Sequence, residues 1–175
     1  MTGAISDVEI RSAQTPQDYE DARTLSWAFR THCLTRYPEF QAQNEAYMEI
    51  GRFQVAMDAL EAEFRAPKGA AFVAYLNGAP VGCLMFHEFK PGIAEVKRLY
   101  LVRDARGHGI ARRLVGAVLD TARAAGYREI VLDTGSYMQP AIALYRSQGF
   151  EHEEGLREGV PVETADTSVA MRRML

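Results

Sequence analysis

The sequence is poor in cysteine and has no long apolar run, and both shortages exclude classes of protein. Its two cysteines, Cys33 and Cys83, lack the paired spacing of a zinc site or a redox pair. So few thiols argue against a disulfide framework and fit a reducing compartment. No stretch approaches the roughly 20 apolar residues of a membrane-spanning helix, and residues 1–7 lack the basic and apolar regions of a secretory signal. We therefore expect a cytoplasmic protein with no membrane segment and no metal.

The charge balance also lacks a basic excess. A formal net charge of −3 at pH 7 argues against general nucleic-acid binding. A hydrophobic content of 47% and a charged content of 25% are ordinary for a globular protein. With 175 residues the chain is long enough to bury a proper core. We predict a single domain over residues 1–175.

Hydrophobic periodicity and turn residues predict the element order β-α-α-β-β-β-α-β-α-β-β. The predicted strands are residues 8–11, 70–76, 80–89, 93–102 and 129–134, a strand entered at residue 150, and residues 168–175. The predicted helices are residues 16–33, 44–64, 109–125 and 139–148. The C-terminal strand is expected at an exposed sheet edge, where it is either covered or paired with another chain, so a homodimer stays open.

Residues 106–111 have the composition of an anion-binding turn. They read Arg-Gly-His-Gly-Ile-Ala, follow apolar residues 96–102 and open a helical pattern. The first N–H groups of a helix have no partner within it, its dipole places partial positive charge there, and glycine lets a phosphate approach the main chain. We therefore predict that a phosphate-bearing ligand binds at this turn.

Spacing distinguishes the families that use such turns. A P-loop requires a lysine after its last glycine, and no lysine follows here. A dinucleotide fingerprint requires a third glycine where this chain has Arg112, although Asp133 lies near the distance expected for its acidic residue. A nicotinamide oxidoreductase would also need more chain after Asp133.

Two motifs together resemble the Gcn5-related N-acetyltransferase (GNAT) superfamily. Arg106-x-x-Gly109-x-Ala111 is similar at every defined position to its acetyl-CoA loop, Arg/Gln-x-x-Gly-x-Gly/Ala, which follows the fourth strand. Residues 141–150, Ala-Ile-Ala-Leu-Tyr-Arg-Ser-Gln-Gly-Phe, resemble its late helix with the ending A-x-x-L-Y-x-x-x-G-F. The resemblance covers residues 70–150. It implies an α/β fold of the α+β type, with a single mixed, mostly antiparallel central sheet and helices on both faces.

The resemblance implies direct transfer of acetyl from acetyl-CoA to a primary amine, with no metal. Tyr145 matches the family tyrosine that assists the departing thiolate, and its phenol is neutral at pH 7. Glu95 stands where one branch of the superfamily carries its catalytic glutamate. Partial burial is expected to raise the Glu95 pKa, so that the carboxylate can deprotonate the amine. Asp133 is a second candidate base.

The same resemblance assigns coenzyme contacts to two segments. In the superfamily the fourth strand bulges and splays from the fifth, which frees backbone groups for the pantetheine arm. Here that backbone belongs to Leu99, Tyr100 and Leu101. The pyrophosphate is expected on the N–H groups and side chains of the glycine loop, which comprises Arg106, Gly107, His108, Gly109, Ile110, Ala111 and Arg112.

The acceptor is left open by the sequence. The resemblance places its groove at residues 28–49 and 155–166, where a rim of acids would attract a cationic amine: Glu39, Glu45, Glu49, Glu158, Glu163 and Asp166. His32, Arg36 and Tyr37 could equally bind a substrate carboxylate. Small-molecule and peptide amines therefore both stay open. The alternative function is a non-catalytic module that binds and senses acyl-CoA.

Overall fold

A computed structural model describes residues 7–175, which contain a seven-stranded mixed sheet between two layers of helices. The strands are β1 (Val8–Ser12), β2 (Ala70–Leu76), β3 (Ala79–Lys90), β4 (Ile93–Leu101), β5 (Glu129–Gly135), β6 (Glu151–Glu153) and β7 (Ser168–Met174). The helices are α1 (Pro16–Arg36), α2 (Gln41–Tyr47), α3 (Ile50–Asp58), α4 (Leu60–Glu63), α5 (Ile110–Ala124) and α6 (Gln139–Ser147). These elements confirm the predicted fold class. The expectation that no secretory signal begins the chain falls on residues 1–6, outside the described residues.

The predicted helix over residues 44–64 is three shorter helices, α2, α3 and α4. The break between α2 and α3 has a local cause at Glu49. Its side chain accepts hydrogen bonds from the backbone N–H groups of Gly51 and Arg52, both at 2.9 Å, and so forms the N-terminal cap of α3. The chain turns there, which brings α2 over the sheet beside α1.

The order of strands places the C-terminal strand inside the sheet. The order is β1-β2-β3-β4-β5-β7-β6, and every neighbouring pair is antiparallel except β4–β5. The expectation that the C-terminal strand forms an exposed edge is therefore wrong. Strand β7 pairs with β5 on one side and with β6 on the other, and the edges of the described sheet are β1 and β6.

Each face of the sheet has its own core. Strand residues such as Phe86 and Ile130 pack beneath α5 and α6, whose buried stripe includes Ile110 and Leu114. The opposite face packs against α1–α4, with Phe64 among the fully buried side chains. In residues 7–175 no helix combines the length and apolarity needed to cross a membrane.

The pairing of β4 with β5 is short. The two strands are parallel and in register only where Ile93–Glu95 meet Glu129–Val131, and beyond that point they separate. On its other side β4 carries a bulge, because Cys83 pairs with Tyr100 whereas Met85 pairs with Lys97. The expected bulge and splay are both present.

Candidate active site

A cleft opens where β4 and β5 separate, and it consists of two adjoining pockets. The first pocket lies between β4, β5, α1, α2 and α6, and its lining includes Leu99 and Tyr145. The second pocket continues toward α3 and the segment between β6 and β7, and its lining includes Lys97. Arg98 and Asp133 line both pockets. The cleft therefore brings together ionisable side chains of β4, β5 and α6.

Tyr145 faces the first pocket from α6. Its residue is only 4% exposed, and its ring packs edge to face on Phe150 with centroids 5.4 Å apart. Burial raises the pKa of the phenol, so the hydroxyl stays protonated at neutral pH. Within residues 7–175 no hydrogen bond joins this hydroxyl to another group, so its proton is available to a ligand in the pocket.

The glycine loop has the backbone that an anion site needs. Gly107 and Gly109 adopt φ of +79° and +76°, a left-handed conformation that favours glycine, and no described atom beyond their chain neighbours approaches within 4 Å of the position of a Cβ. Helix α5 begins at Ile110 without a side-chain cap at Gly109. The first N–H groups of α5 therefore point from an open, exposed turn.

Two arginine side chains of this loop have partners within the protein. Arg106 Nε donates to the backbone carbonyl of Leu101 at 3.0 Å, and Arg112 Nη2 donates to Ser147 Oγ at 3.1 Å. His108 is exposed. Both arginines are surface side chains that can exchange these neutral partners for a phosphate.

Of the β4 residues expected to contact the pantetheine arm, Leu99 lies in the bulge and lines the first pocket. Tyr100 and Leu101 follow it and pair with Cys83 and Gly82 of β3. The structure thus extends the β4 backbone from the cleft toward the glycine loop.

Glu95 is enclosed by a histidine and two cations. His87 Nε2 lies 2.8 Å from its carboxylate, Arg157 Nη2 lies at 2.9 Å and Lys97 Nζ at 3.1 Å. Burial alone would raise the pKa of this carboxyl, but the hydrogen bond from His87 and the charges of Lys97 and Arg157 lower it to about 2. The expectation of a raised pKa for Glu95 is wrong. The side chain is 7% exposed and lines neither pocket, so its geometry is that of a structural ion pair.

Asp133 has the opposite environment at the end of β5. Its carboxylate is 3% exposed, and Arg157 Nε lies 3.6 Å from Oδ2, which is too long for a hydrogen bond. Burial raises its pKa, and the nearby charges of Arg157 and Lys97 offset that rise only in part. Asp133 Oδ2 and Arg157 Nη1 are buried without a hydrogen-bond partner among the described residues. Asp133 therefore combines access to the cleft with a carboxyl that favours taking up a proton.

Both chain segments expected to form the acceptor groove do line the cleft, but their acids do not. Phe29 and Met48 come from the first segment, and Pro161 from the second. None of the six predicted rim acids lines either pocket of the described chain, and neither do His32, Arg36 and Tyr37. The charged lining consists of Asp133 and three cations that sequence analysis missed, Arg52, Lys97 and Arg98. The visible signal of Lys97 and Arg98 is a pair of adjacent cations in the largely apolar strand β4.

Aromatic and hydrogen-bonding contacts lie beside the first pocket, whose lining includes Tyr137 and Asn44. Tyr137 stacks on Phe40 at 4.1 Å between centroids, and its hydroxyl donates to Asn44 Oδ1 at 2.5 Å. Asn44 in turn donates to the carbonyl of Cys33 at 2.9 Å. These contacts join α1, α2 and the β5–α6 loop beside the first pocket.

Comparison with known proteins agrees with this architecture. A protein of Schizosaccharomyces pombe, "Uncharacterized N-acetyltransferase C1271.07c", is 31% identical over 157 residues, which are 85% of this chain and 86% of that protein. "IAA acetyltransferase" of Azospirillum brasilense is 46% identical over 79 residues, or 45% of this chain, and the match spans only 52% of that relative.

Among solved structures, the PaiA N-acetyltransferase of Thermoplasma acidophilum in complex with coenzyme A has the same fold. Its TM-score is 0.68 at 16% identity, and the match covers 97% of this chain and 99% of that one. The family model described as "Acetyltransferase (GNAT) family" matches residues 35–150, which include the splayed strands, the glycine loop and the late helix with Tyr145. The chain therefore belongs to the GNAT family of acetyltransferases.

Proposed function

We propose that the protein transfers the acetyl group of acetyl-CoA to a primary amine bound in the cleft. The observation that carries this proposal is the separation of β4 from β5, which opens a cleft between an uncapped glycine turn and two buried ionisable side chains, Tyr145 and Asp133. A fully paired sheet would leave no room there for a ligand. Acetyl-CoA is the co-substrate that the family uses, and the related PaiA protein was solved with coenzyme A.

The coenzyme would lie along β4 with its phosphates on the glycine loop. Open space around Gly107 and Gly109 and the unpartnered N–H groups of the α5 terminus suit a pyrophosphate. Arg106 and Arg112 can add charge-assisted hydrogen bonds. The backbone at Leu99, Tyr100 and Leu101 would bind the pantetheine arm, which directs the thioester into the first pocket.

The proposed chemistry is direct attack of the amine nitrogen on the thioester carbonyl carbon. A C–N bond forms and the C–S bond breaks, so the sulfur leaves as a thiolate. Asp133 takes the proton that the amine must lose, and the Tyr145 hydroxyl donates a hydrogen bond to the departing sulfur. Because a thiol is a stronger acid than a buried phenol, Tyr145 stabilises the thiolate without being fully deprotonated, and solvent supplies the final proton.

Replacing Tyr145 with phenylalanine tests the role of the hydroxyl. Tyr145→Phe should lower kcat by roughly 10²-fold, the usual scale for a lost proton donor, and leave the Kd for acetyl-CoA nearly unchanged. Thiol release and calorimetric titration measure the two quantities. Tyr19→Phe is the matched control, since Tyr19 is also a buried helix tyrosine but lies in the opposite core. A large loss of coenzyme affinity with normal turnover would remove Tyr145 from the reaction.

The two carboxylates should respond differently when their charge is removed. Asp133→Asn should abolish the acidic limb of the kcat/KM profile and lower turnover, but it should not lower the free energy of unfolding. The reason is that a raised folded-state pKa means the ionised form is disfavoured by folding. Glu95→Gln should instead destabilise the protein by roughly 3–5 kcal/mol, because it leaves buried cations without their anion.

Urea unfolding at several pH values measures this contrast. The pKa of Glu95 is depressed, so its contribution to stability is present above the ordinary glutamate pKa and is lost as the pH falls toward about 2. Glu95→Gln should lack that acid-dependent loss. If Glu95→Gln were as stable as the wild type but inactive, while Asp133→Asn stayed fully active, the base would be Glu95.

Replacing a loop glycine tests where the coenzyme binds. Gly109→Trp should abolish the stabilisation by acetyl-CoA, which reaches roughly 2.7 kcal/mol at 100 times Kd, because the indole occupies the space assigned to phosphate. Gly78→Trp is the matched control: Gly78 also has a left-handed φ, +80°, and open surroundings, but it lies in the β2–β3 turn.

Thermal shifts with acetyl-CoA, CoA and NADPH measure the effect. Shifts with the CoA compounds that persist in Gly78→Trp and vanish in Gly109→Trp support the proposal. Retained affinity in Gly109→Trp, or a shift with NADPH alone, contradicts it. Acetyl-CoA binding without thiol release for any amine would favour the sensing module.

A further inference from the structure

Arg98 is a cation without an anionic partner in the cleft. Its guanidinium lies between two rings, 5.6 Å from the Phe53 centroid and 5.3 Å from the Phe64 centroid, and Nη1 donates to Met85 Sδ at 3.4 Å. Within residues 7–175 no carboxylate oxygen comes within 4.0 Å of it. The aromatic faces orient the guanidinium without neutralising it.

The bulge in β4 places this side chain where a regular strand would not. Successive strand residues normally point to opposite faces, yet Lys97 and Arg98 both line the second pocket. Arg98 has a φ of +61°, a conformation that costs energy for a residue other than glycine. Of these two cations, Arg98 is the one with no carboxylate partner among the described residues, and the fold maintains a strained backbone at that residue.

The other cations of the second pocket differ from Arg98 in having a carboxylate within 4.0 Å. Lys97 Nζ is 3.1 Å from Glu95, and the exposed Arg52 lies 3.9 Å from Glu49. Burial lowers the pKa of Arg98, which reflects the cost of a charge held away from water. A half-buried guanidinium with several free N–H groups is a strong binding group for a carboxylate.

An opposite charge lies on the same stretch of the cleft. Asp133 lines both pockets, as Arg98 does, and its Oδ2 has no hydrogen-bond partner among the described residues. Its nearest cation, Arg157 Nε at 3.6 Å, makes no hydrogen bond to it. A carboxylate without a hydrogen bond at Oδ2 and a guanidinium without a carboxylate within 4.0 Å, in a shared lining of the described chain, match the two ends of a zwitterion. The remaining lining of the second pocket is largely apolar: Phe29, Tyr47, Met48, Phe53, Ala56, Val96 and Pro161.

We propose that the acceptor is an amino carboxylate with an apolar side chain, whose carboxylate binds Arg98 and whose amine meets Asp133. This inference rests on the proposed acetyl transfer and specifies its acceptor. The coenzyme phosphates do not compete for Arg98, because they are assigned to the glycine loop. Polyamines and amines without an anionic group lack a partner for the guanidinium and are poorer acceptors.

Matched acceptors test this directly. Leucine, methionine and phenylalanine are compared with their carboxamides and with their decarboxylated amines in thiol release from acetyl-CoA. In the wild type we expect kcat/KM for the free acids to exceed that for the carboxamides by roughly 10- to 100-fold, the range of a hydrogen bond between charged groups. Arg98→Met should remove that preference by raising KM for the acids alone. Arg98→Lys should restore part of it, and Arg65→Met, at an exposed arginine away from the cleft, should preserve it.

The possible outcomes distinguish an error in the substrate class from an error in the proposed reaction. Carboxamides or plain amines acetylated as well as the acids by the wild type would overturn the amino carboxylate and leave acetyl transfer intact. An Arg98→Met loss in kcat for acids and carboxamides alike would instead assign Arg98 to the thioester carbonyl and overturn the inference. If no acceptor releases thiol, titration of the same compounds into CoA-loaded protein decides: binding of acids but not carboxamides supports the site, and binding of neither overturns it. Arg98→Met should unfold at the same temperature or higher, since it removes an unpaired charge.

Discussion

The parallel pairing of β4 with β5 ends after three residues, and the rest of the site depends on that interruption. Backbone N–H and C=O groups in a sheet normally satisfy one another, and a ligand can use them only where the strands part. The splay is stable because both faces of the sheet are covered, by α5 and α6 on one side and by α1–α4 on the other.

The same interruption places two carboxylates in different environments. Glu95 is the last β4 residue paired with β5, and it lies beneath the cleft among His87, Lys97 and Arg157. Asp133 comes two residues after the last β5 residue that pairs with β4, where these two strands have already separated. The pKa of Glu95 is therefore lowered by its ion pairs, whereas the pKa of Asp133 is raised by burial that its neighbouring charges offset only in part. A motif position alone therefore does not fix the pKa of a glutamate, because the surrounding ion pairs decide it.

Local sequence signals predicted most element boundaries and the glycine loop, because each depends on residues close together in the chain, whereas the fold class was implied by the resemblance of two motifs to a known family. Gly109 before an amphipathic helix and the Asn77-Gly78 hairpin are examples. The Glu95 environment was not predictable in this way. His87 and Arg157 reach it from β3 and from the β6–β7 segment, and only the sheet order brings them together. The interior position of β7 depends on the same long-range pairing.

The number of acidic residues in a chain segment does not predict the charge that lines the cleft. The two groove segments are rich in acids, but acids on solvated helix and loop surfaces have water as a partner and contribute little field inside the cleft. The charges that line the two pockets are instead three cations, Arg52, Lys97 and Arg98, and one carboxylate, Asp133. A bulge that turns two neighbouring cations inward thus reverses the polarity that the surrounding sequence suggests. The charge that lines the cleft is accordingly set by strand geometry as well as by the loops around it.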